Sequence, residues 1–210
     1  MRIALTGASG LVGRFLLCAF RAEGHQVEHA RLAAFHHLAQ AAGRQHFLDL
    51  LAEHAGRIAN ADLLGVLVVD PDDTRLAIDR DGALAALDAM DKLQQEGKNL
   101  PAYLMISYVG SQEATTDPAN EKWYAYVESK KEVDNRLVQA SYPHLILKPA
   151  MLTEEPAKGI EQIEDKMLKE SLTSSRELVA DVIVEALGRE NLPESPLAFV
   201  DGDNPVSSIK

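Results

Sequence analysis

The chain has 210 residues, long enough for one well-buried core and short for two independent ones, so a single domain over 1–210 is expected. With 46% hydrophobic and 25% charged residues it lies in the ordinary globular range, which excludes the disordered and fibrous classes. Its 21 Lys+Arg against 32 Asp+Glu give a net charge of -11, and with no local basic stripe that balance argues against nucleic acid as a partner.

In chain order, Ile3-Ala4-Leu5 predicts a strand closed by Gly7, and Leu11 to Ala22 has helical spacing up to Gly24. Gln26 to Arg31 predicts a second strand and Leu32 to Ala42 a helix ended by Gly43. Gln45 to Leu50 predicts a third strand, and Leu51 to Ile58 a short helix. Leu63 to Val69 is almost continuously apolar, the pattern of a strand covered on both faces in a parallel sheet. After the break at Pro71-Asp72-Asp73, Leu76 to Gln95 reads as a long helix with Ala77, Ile78, Leu84, Leu87 and Met90 roughly on one face. Tyr103 to Val109 is a fifth strand, Gly110 to Asn120 a polar loop, and Lys122 to Ala140 approximately a helix. Leu145 to Leu147 resumes the sheet, and Ser174-Ser175-Arg176-Glu177 has capping-box spacing for a last helix ending near Gly188.

Strands and helices alternate, so the expected fold is α/β, a doubly wound parallel sheet of Rossmann type with right-handed crossovers. Little chain follows Pro149, so any C-terminal substrate lobe must be minimal. Residues 151–171 are the expected cleft segment, although Ile160, Ile163 and Met167 suit a packing segment equally well. The lone Cys18 excludes an intramolecular disulfide and is expected to be buried in its helix. No apolar run approaches a membrane span and the N-terminus does not read as a signal peptide, so a cytoplasmic location and no membrane partner are expected. Six of the 7 histidines lie between His25 and His54, but scattered over several elements, and Asp70, Asp72 and Asp73 lack the glycine and terminal Glu of a calcium loop. No metal site is expected.

Gly7, Gly10 and Gly13 form G-x-x-G-x-x-G between a predicted strand and a predicted helix, the setting that makes this pattern informative. Gly7 permits the tight turn, Gly10 lets main-chain N–H groups approach a pyrophosphate, and Gly13 lets the helix pack closely on the sheet. The N–H groups of the helix start, at Leu11 and Val12, and the Ser9 hydroxyl would then face the anion. At the end of the second strand, Arg31 suits the additional phosphate of NADP, while Glu28 nearby leaves NAD open.

The segment Thr6-Gly7-Ala8-Ser9-Gly10-Leu11-Val12-Gly13 resembles the cofactor loop of the short-chain dehydrogenase/reductase superfamily, nearest to its extended and atypical, NmrA-like branches. Further likenesses follow in order: Gly24-His25-Gln26-Val27, Phe47-Leu48-Asp49-Leu50, Tyr126-Val127-Glu128-Ser129-Lys130, Leu147-Lys148-Pro149 and Ser174 to Ala180. The resemblance implies that Asp49 and Leu50 contact adenine and that Lys130 holds the nicotinamide ribose. It also implies that Tyr126 exchanges a proton with substrate oxygen.

Tyr126 and Lys130 stand at i and i+4, on one helix face, where an ammonium favours the phenolate of a neighbouring tyrosine. Trp123 and Tyr124 are expected to pack or gate the cleft, and Lys131 to be solvated. The family's substrate-binding serine is where the chain departs from the pattern. Ser107 or Ser111 is the candidate, and Tyr108 occupies the position of the second family serine. The expected function is an NAD(P)-dependent oxidoreductase or sugar-nucleotide epimerase-like enzyme acting on a carbonyl or hydroxyl substrate, as monomer or homodimer. Tyr108 motivates the alternative, a non-catalytic NAD(P)-binding redox sensor.

Overall fold

The computed structural model describes residues 2–5, 11–22, 24, 26–29, 63–67, 76–167 and 171–210. The expected elements at 32–42, 45–50 and 51–58 lie outside the described residues, as do Gly7, Ser9, Gly10, Arg31, Asp49 and Leu50. The described elements begin with β1 (Arg2–Leu5), α1 (Leu11–Ala22), β2 (Gln26–His29), β3 (Leu63–Leu67), α2 (Leu76–Gln95) and β4 (Ala102–Ile106). They continue with α3 (Glu121–Val138), β5 (His144–Pro149), β6 (Met151–Thr153), β7 (Ile160–Gln162), β8 (Thr173–Ser175), α4 (Arg176–Leu187) and β9 (Leu197–Asp201).

Seven of these strands form one sheet in the order β2-β1-β3-β4-β5-β9-β7. The sheet is parallel from β2 to β9, as expected of a doubly wound fold. Its edge strand β7 runs antiparallel to β9, with Ile160 opposite Asp201. No helix lies between β5 and β7, so the chain leaves the carboxyl end of the sheet at Pro149 and can only run back down its edge. A second, two-stranded parallel sheet pairs β6 with β8.

Alternation along the central strands distributes their side chains between two layers. Leu104, Ile106, Leu145, Leu147 and Phe199 meet Leu16 and Phe20 of α1 and Leu178, Val182 and Ile183 of α4. Tyr103, Met105 and Ile146 point the other way, onto Ala83, Leu87 and Met90 of α2 and Val133 and Leu137 of α3. Each fully buried Leu or Phe in these layers contributes about 2 kcal/mol of transfer free energy. Helix α2 ends where Gly97 takes φ +66°. Its N–H donates to Gln94 O while that of Lys98 donates to Leu93 O, closing off two terminal carbonyls.

Two expectations need correction, those for Cys18 and for the capping box. Cys18 is exposed. At 100° per residue it sits about 200° around the helix from both Leu16 and Phe20, the two residues that face the core. The cap of the last helix is Ser175, whose hydroxyl accepts from Leu178 N at 3.1 Å. Ser174 instead accepts from Ala150 N and donates to Phe199 O, and Glu177 accepts from Ala157 N, so the expected capping box is not formed. Residues 151–171 divide their work: Ile160 is in the core, Ile163 packs beside Val109 and Ala198, and Met167 is half exposed.

Candidate active site

Helix α3 starts beyond the carboxyl end of β4, capped by Asn120, whose side chain accepts from Trp123 N. Its buried positions are Tyr126, Val127, Lys130, Val133, Asp134 and Leu137, so two of six carry charge. The Lys130 ammonium donates to Ile106 O, at the end of β4, at 2.7 Å. It also stands 5.9 Å from the centroid of the Tyr126 ring, within cation–π reach. Tyr126 is buried and stacks with two other rings: Tyr108 at 5.6 Å between centroids and Trp123 at 5.3 Å. The sequence pairing of Tyr126 with Lys130 is therefore brought together in three dimensions.

Ser107 faces α3 and is committed to it. Its hydroxyl donates to Asp134 Oδ2 at 2.7 Å, and Ser111 donates to the same oxygen at 3.0 Å. Tyr108, one residue along, stacks on Tyr126, nearer the start of the same helix. Its hydroxyl is buried without a hydrogen-bond partner, an arrangement that costs about 1–3 kcal/mol. Burial, with Asp134 and Glu128 adding to it, pushes the Tyr108 phenol up to about 12, so it is neutral at physiological pH.

Behind the rings lies a buried charge network that sequence reasoning missed. Lys148 donates to Ser111 Oγ at 2.9 Å and to Asp165 Oδ2 at 2.6 Å, and lies 3.5 Å from Asp134 Oδ2. Asp165 Oδ1 accepts from Gly110 N at 2.8 Å. Gly110 has φ +73°, and a Cβ there would come within 2.8 Å of Met167 N, so this close approach requires glycine. Asp165 thus fastens the 163–167 segment both to β5, through Lys148, and to the loop after β4, through Gly110. Lys131 fastens the other side of that loop: it is partly buried and donates to Ala114 O at 2.6 Å. Asp134, four residues past Lys130 on an apolar stripe, is a signal that was present in the sequence; Asp165, in a loop, left none.

The glycine loop's setting fits a dinucleotide. β1 ends at Leu5 between β2 and β3, where the strand order reverses, and α1 starts at Leu11. Open α/β sheets bind ligands in the crevice at such a reversal. Leu11, Val12 and Gly13 are the first residues of α1, whose N–H groups have no partner within the helix. Among the described residues no group of three or more His, Cys, Asp or Glu is placed to hold a metal ion. No helix among them is long and apolar enough to cross a membrane.

Comparison with curated protein sequences finds no match. Solved structures with a similar fold include a protein described as a NAD-dependent epimerase/dehydratase from Bacillus halodurans, at 19% identity and TM-score 0.68, covering 99% of this chain and 97% of that one. The oxidoreductase ylbE from Lactococcus lactis superposes with TM-score 0.73 at 18% identity, over 99% of this chain and 94% of its own. A short-chain dehydrogenase/reductase from Veillonella parvula in complex with NADP gives TM-score 0.57 at 15% identity, over 97% and 98% of the two chains. At these identities the likeness is one of fold. Residues 7–190, from the glycine loop through α4, match a protein family described as NAD(P)H-binding. With a match of that extent on a doubly wound sheet, this chain belongs to the NAD(P)H-binding family, and its cofactor is NADP or NAD.

Proposed function

We propose that the protein is an NAD(P)-dependent oxidoreductase, or an epimerase-like enzyme, that acts on a carbonyl or hydroxyl group and prefers NADP. The observation that carries this reading is the Lys130 ammonium, buried at the end of β4 and 5.9 Å from the Tyr126 ring. The nicotinamide supplies or accepts the hydride. Tyr126 passes its phenolic proton to the substrate oxygen as a carbonyl is reduced, and takes one back in the reverse direction. Lys130 stabilises the phenolate left behind and holds the nicotinamide ribose. Gly7, Ser9, Gly10, Leu11, Val12 and Gly13 hold the pyrophosphate, Asp49 and Leu50 the adenine, and Arg31 the additional phosphate of NADP. Residues 151–171 border the substrate cleft within a single domain, a reading supported by the Asp165 anchor on Gly110 and Lys148.

Fluorescence titration with NADPH and NADH, then a carbonyl panel, tests this reading. NADPH should bind more tightly than NADH, and Arg31→Asp should reverse or erase that ratio. Tyr126→Phe should lower kcat by about 10²–10⁴ with nucleotide affinity kept. Failure to bind either nucleotide would overturn the reading. Tight binding without turnover of any carbonyl would favour a redox sensor, a reading motivated by the Ser107 hydroxyl being held on Asp134.

A further inference from the structure

We infer that Tyr108 donates the hydrogen bond that holds the substrate oxygen, and that with Tyr126 and Trp123 it forms an aromatic wall selecting flat, conjugated carbonyl compounds. This rests on the oxidoreductase reading of the Tyr126 site. Three hydroxyls cluster just after β4. Those of Ser107 and Ser111 both direct their hydrogen to Asp134 Oδ2, which leaves neither with a donor to offer. Only the Tyr108 hydroxyl is without a partner, and it is buried. A buried phenol with nothing to bond is unfavourable until an acceptor arrives, and a carbonyl oxygen is such an acceptor. Because burial keeps that phenol protonated, it can donate throughout the physiological range.

The ring geometry points to the shape of the ligand. The centroids of Tyr108, Tyr126 and Trp123 are separated by 5.3, 5.6 and 6.3 Å, nearly equal distances. Three rings piled face to face at van der Waals spacing, about 3.5–4 Å, would put the outer pair about 7–8 Å apart and the adjacent pairs at half that. The observed triangle is instead a cluster of offset rings, stacked on Tyr126 at 19° and 26° and tilted by 40° between Tyr108 and Trp123. Trp123 remains 42% exposed, so the wall reaches the surface. Offset stacking rewards a planar π-system and gives nothing additional to a puckered aliphatic ring. In the reaction Tyr108 keeps its proton and orients the oxygen, while Tyr126 transfers the proton.

Trp123 is the chain's single tryptophan, so its emission reports on the wall itself, independently of turnover. Acetonaphthone and cyclohexyl methyl ketone present the same methyl ketone on a flat and on a puckered ring. On the wild-type chain with NADP present, acetonaphthone should quench Trp123 and bind at least tenfold more tightly than cyclohexyl methyl ketone. Tyr108→Phe keeps the ring and removes the hydroxyl. It should weaken acetonaphthone binding at least fivefold and lower kcat/KM at least tenfold, with NADPH affinity unchanged; Tyr108→Ser should restore part of the turnover but not the preference for flat ketones. Equal binding of the two ketones, or a Tyr108→Phe variant within twofold of wild type, would overturn the inference. Loss of nucleotide binding with the flat-ketone preference intact would instead remove the oxidoreductase reading and leave the aromatic wall standing.

Discussion

Lys148 and Asp134 each have only a few hundredths of their surface exposed, and they are held by one another and by Asp165, Ser107 and Ser111. A buried pair of this kind gains little over an apolar pair, because desolvation offsets most of the attraction. Breaking it is different. Lys148→Met leaves the buried Asp134 carboxylate without its cation and should cost about 3 kcal/mol, read as a lowered urea midpoint with unchanged slope. An unaltered midpoint would mean that this carboxylate finds another partner. At this scale Tyr126 and Lys130 were legible in the sequence because both lie on one helix, where four residues of separation decide proximity. Lys148 and Asp165 were not, since 17 residues and a turn back along the sheet edge separate partners that meet only once the sheet is assembled.

At the scale of elements, α4 shows how nearly equivalent neighbours are assigned different tasks. Both Ser174 and Ser175 have the chemistry of an N-cap, and the four-residue pattern favoured Ser174. Pairing of β8 with β6 turns Ser174 inward, against Ala150 N and Phe199 O, and leaves Ser175 to receive Leu178 N. Ser175→Ala should therefore cost about 1 kcal/mol, the usual loss of an N-cap. Ser174→Ala should cost about 2 kcal/mol, because two buried backbone groups lose their partner. The reverse order in chemical unfolding would restore Ser174 as the cap. Helices α1 and α2 were read correctly in extent because their glycine stops are local signals, at Gly24 and Gly97. The exposure of Cys18 was misread because apolar composition was weighed above helical angle.

For the molecule as a whole, the tyrosines govern the response to alkali. Tyr108 and Tyr142 are raised to about 12, chiefly by burial, and Tyr103 is raised further by burial beside Tyr142. In the unfolded chain each ionises near pH 10, whereas in the folded chain each keeps its proton to higher pH. Above about pH 10 the unfolded state therefore binds fewer protons, and stability falls as pH rises from about 10 towards 12; below about 10 their contribution is fully present. Urea midpoints measured from about pH 8 to 11 should be flat with respect to these groups at first and drop steeply above about 10. A midpoint unchanged between about pH 9 and 11 would show that the three phenols are solvated in the folded protein.

Sequence alone determined that this protein is a Rossmann-type α/β chain of the NAD(P)-binding kind, and that Tyr126 and Lys130 share a helix face. Each of these depends on residues close together in the chain, where periodicity, turn chemistry and helix geometry act without help from the rest of the fold. Tertiary structure alone decided that β7 runs antiparallel at the sheet edge and that Asp165 ties the segment after it to Lys148 of β5 and to Gly110 in the loop after β4. It also decided which hydroxyl after β4 is left to donate. Ser107 and Tyr108 are adjacent in sequence, but just beyond β4 they meet different residues of α3, one a buried carboxylate and the other the ring of Tyr126.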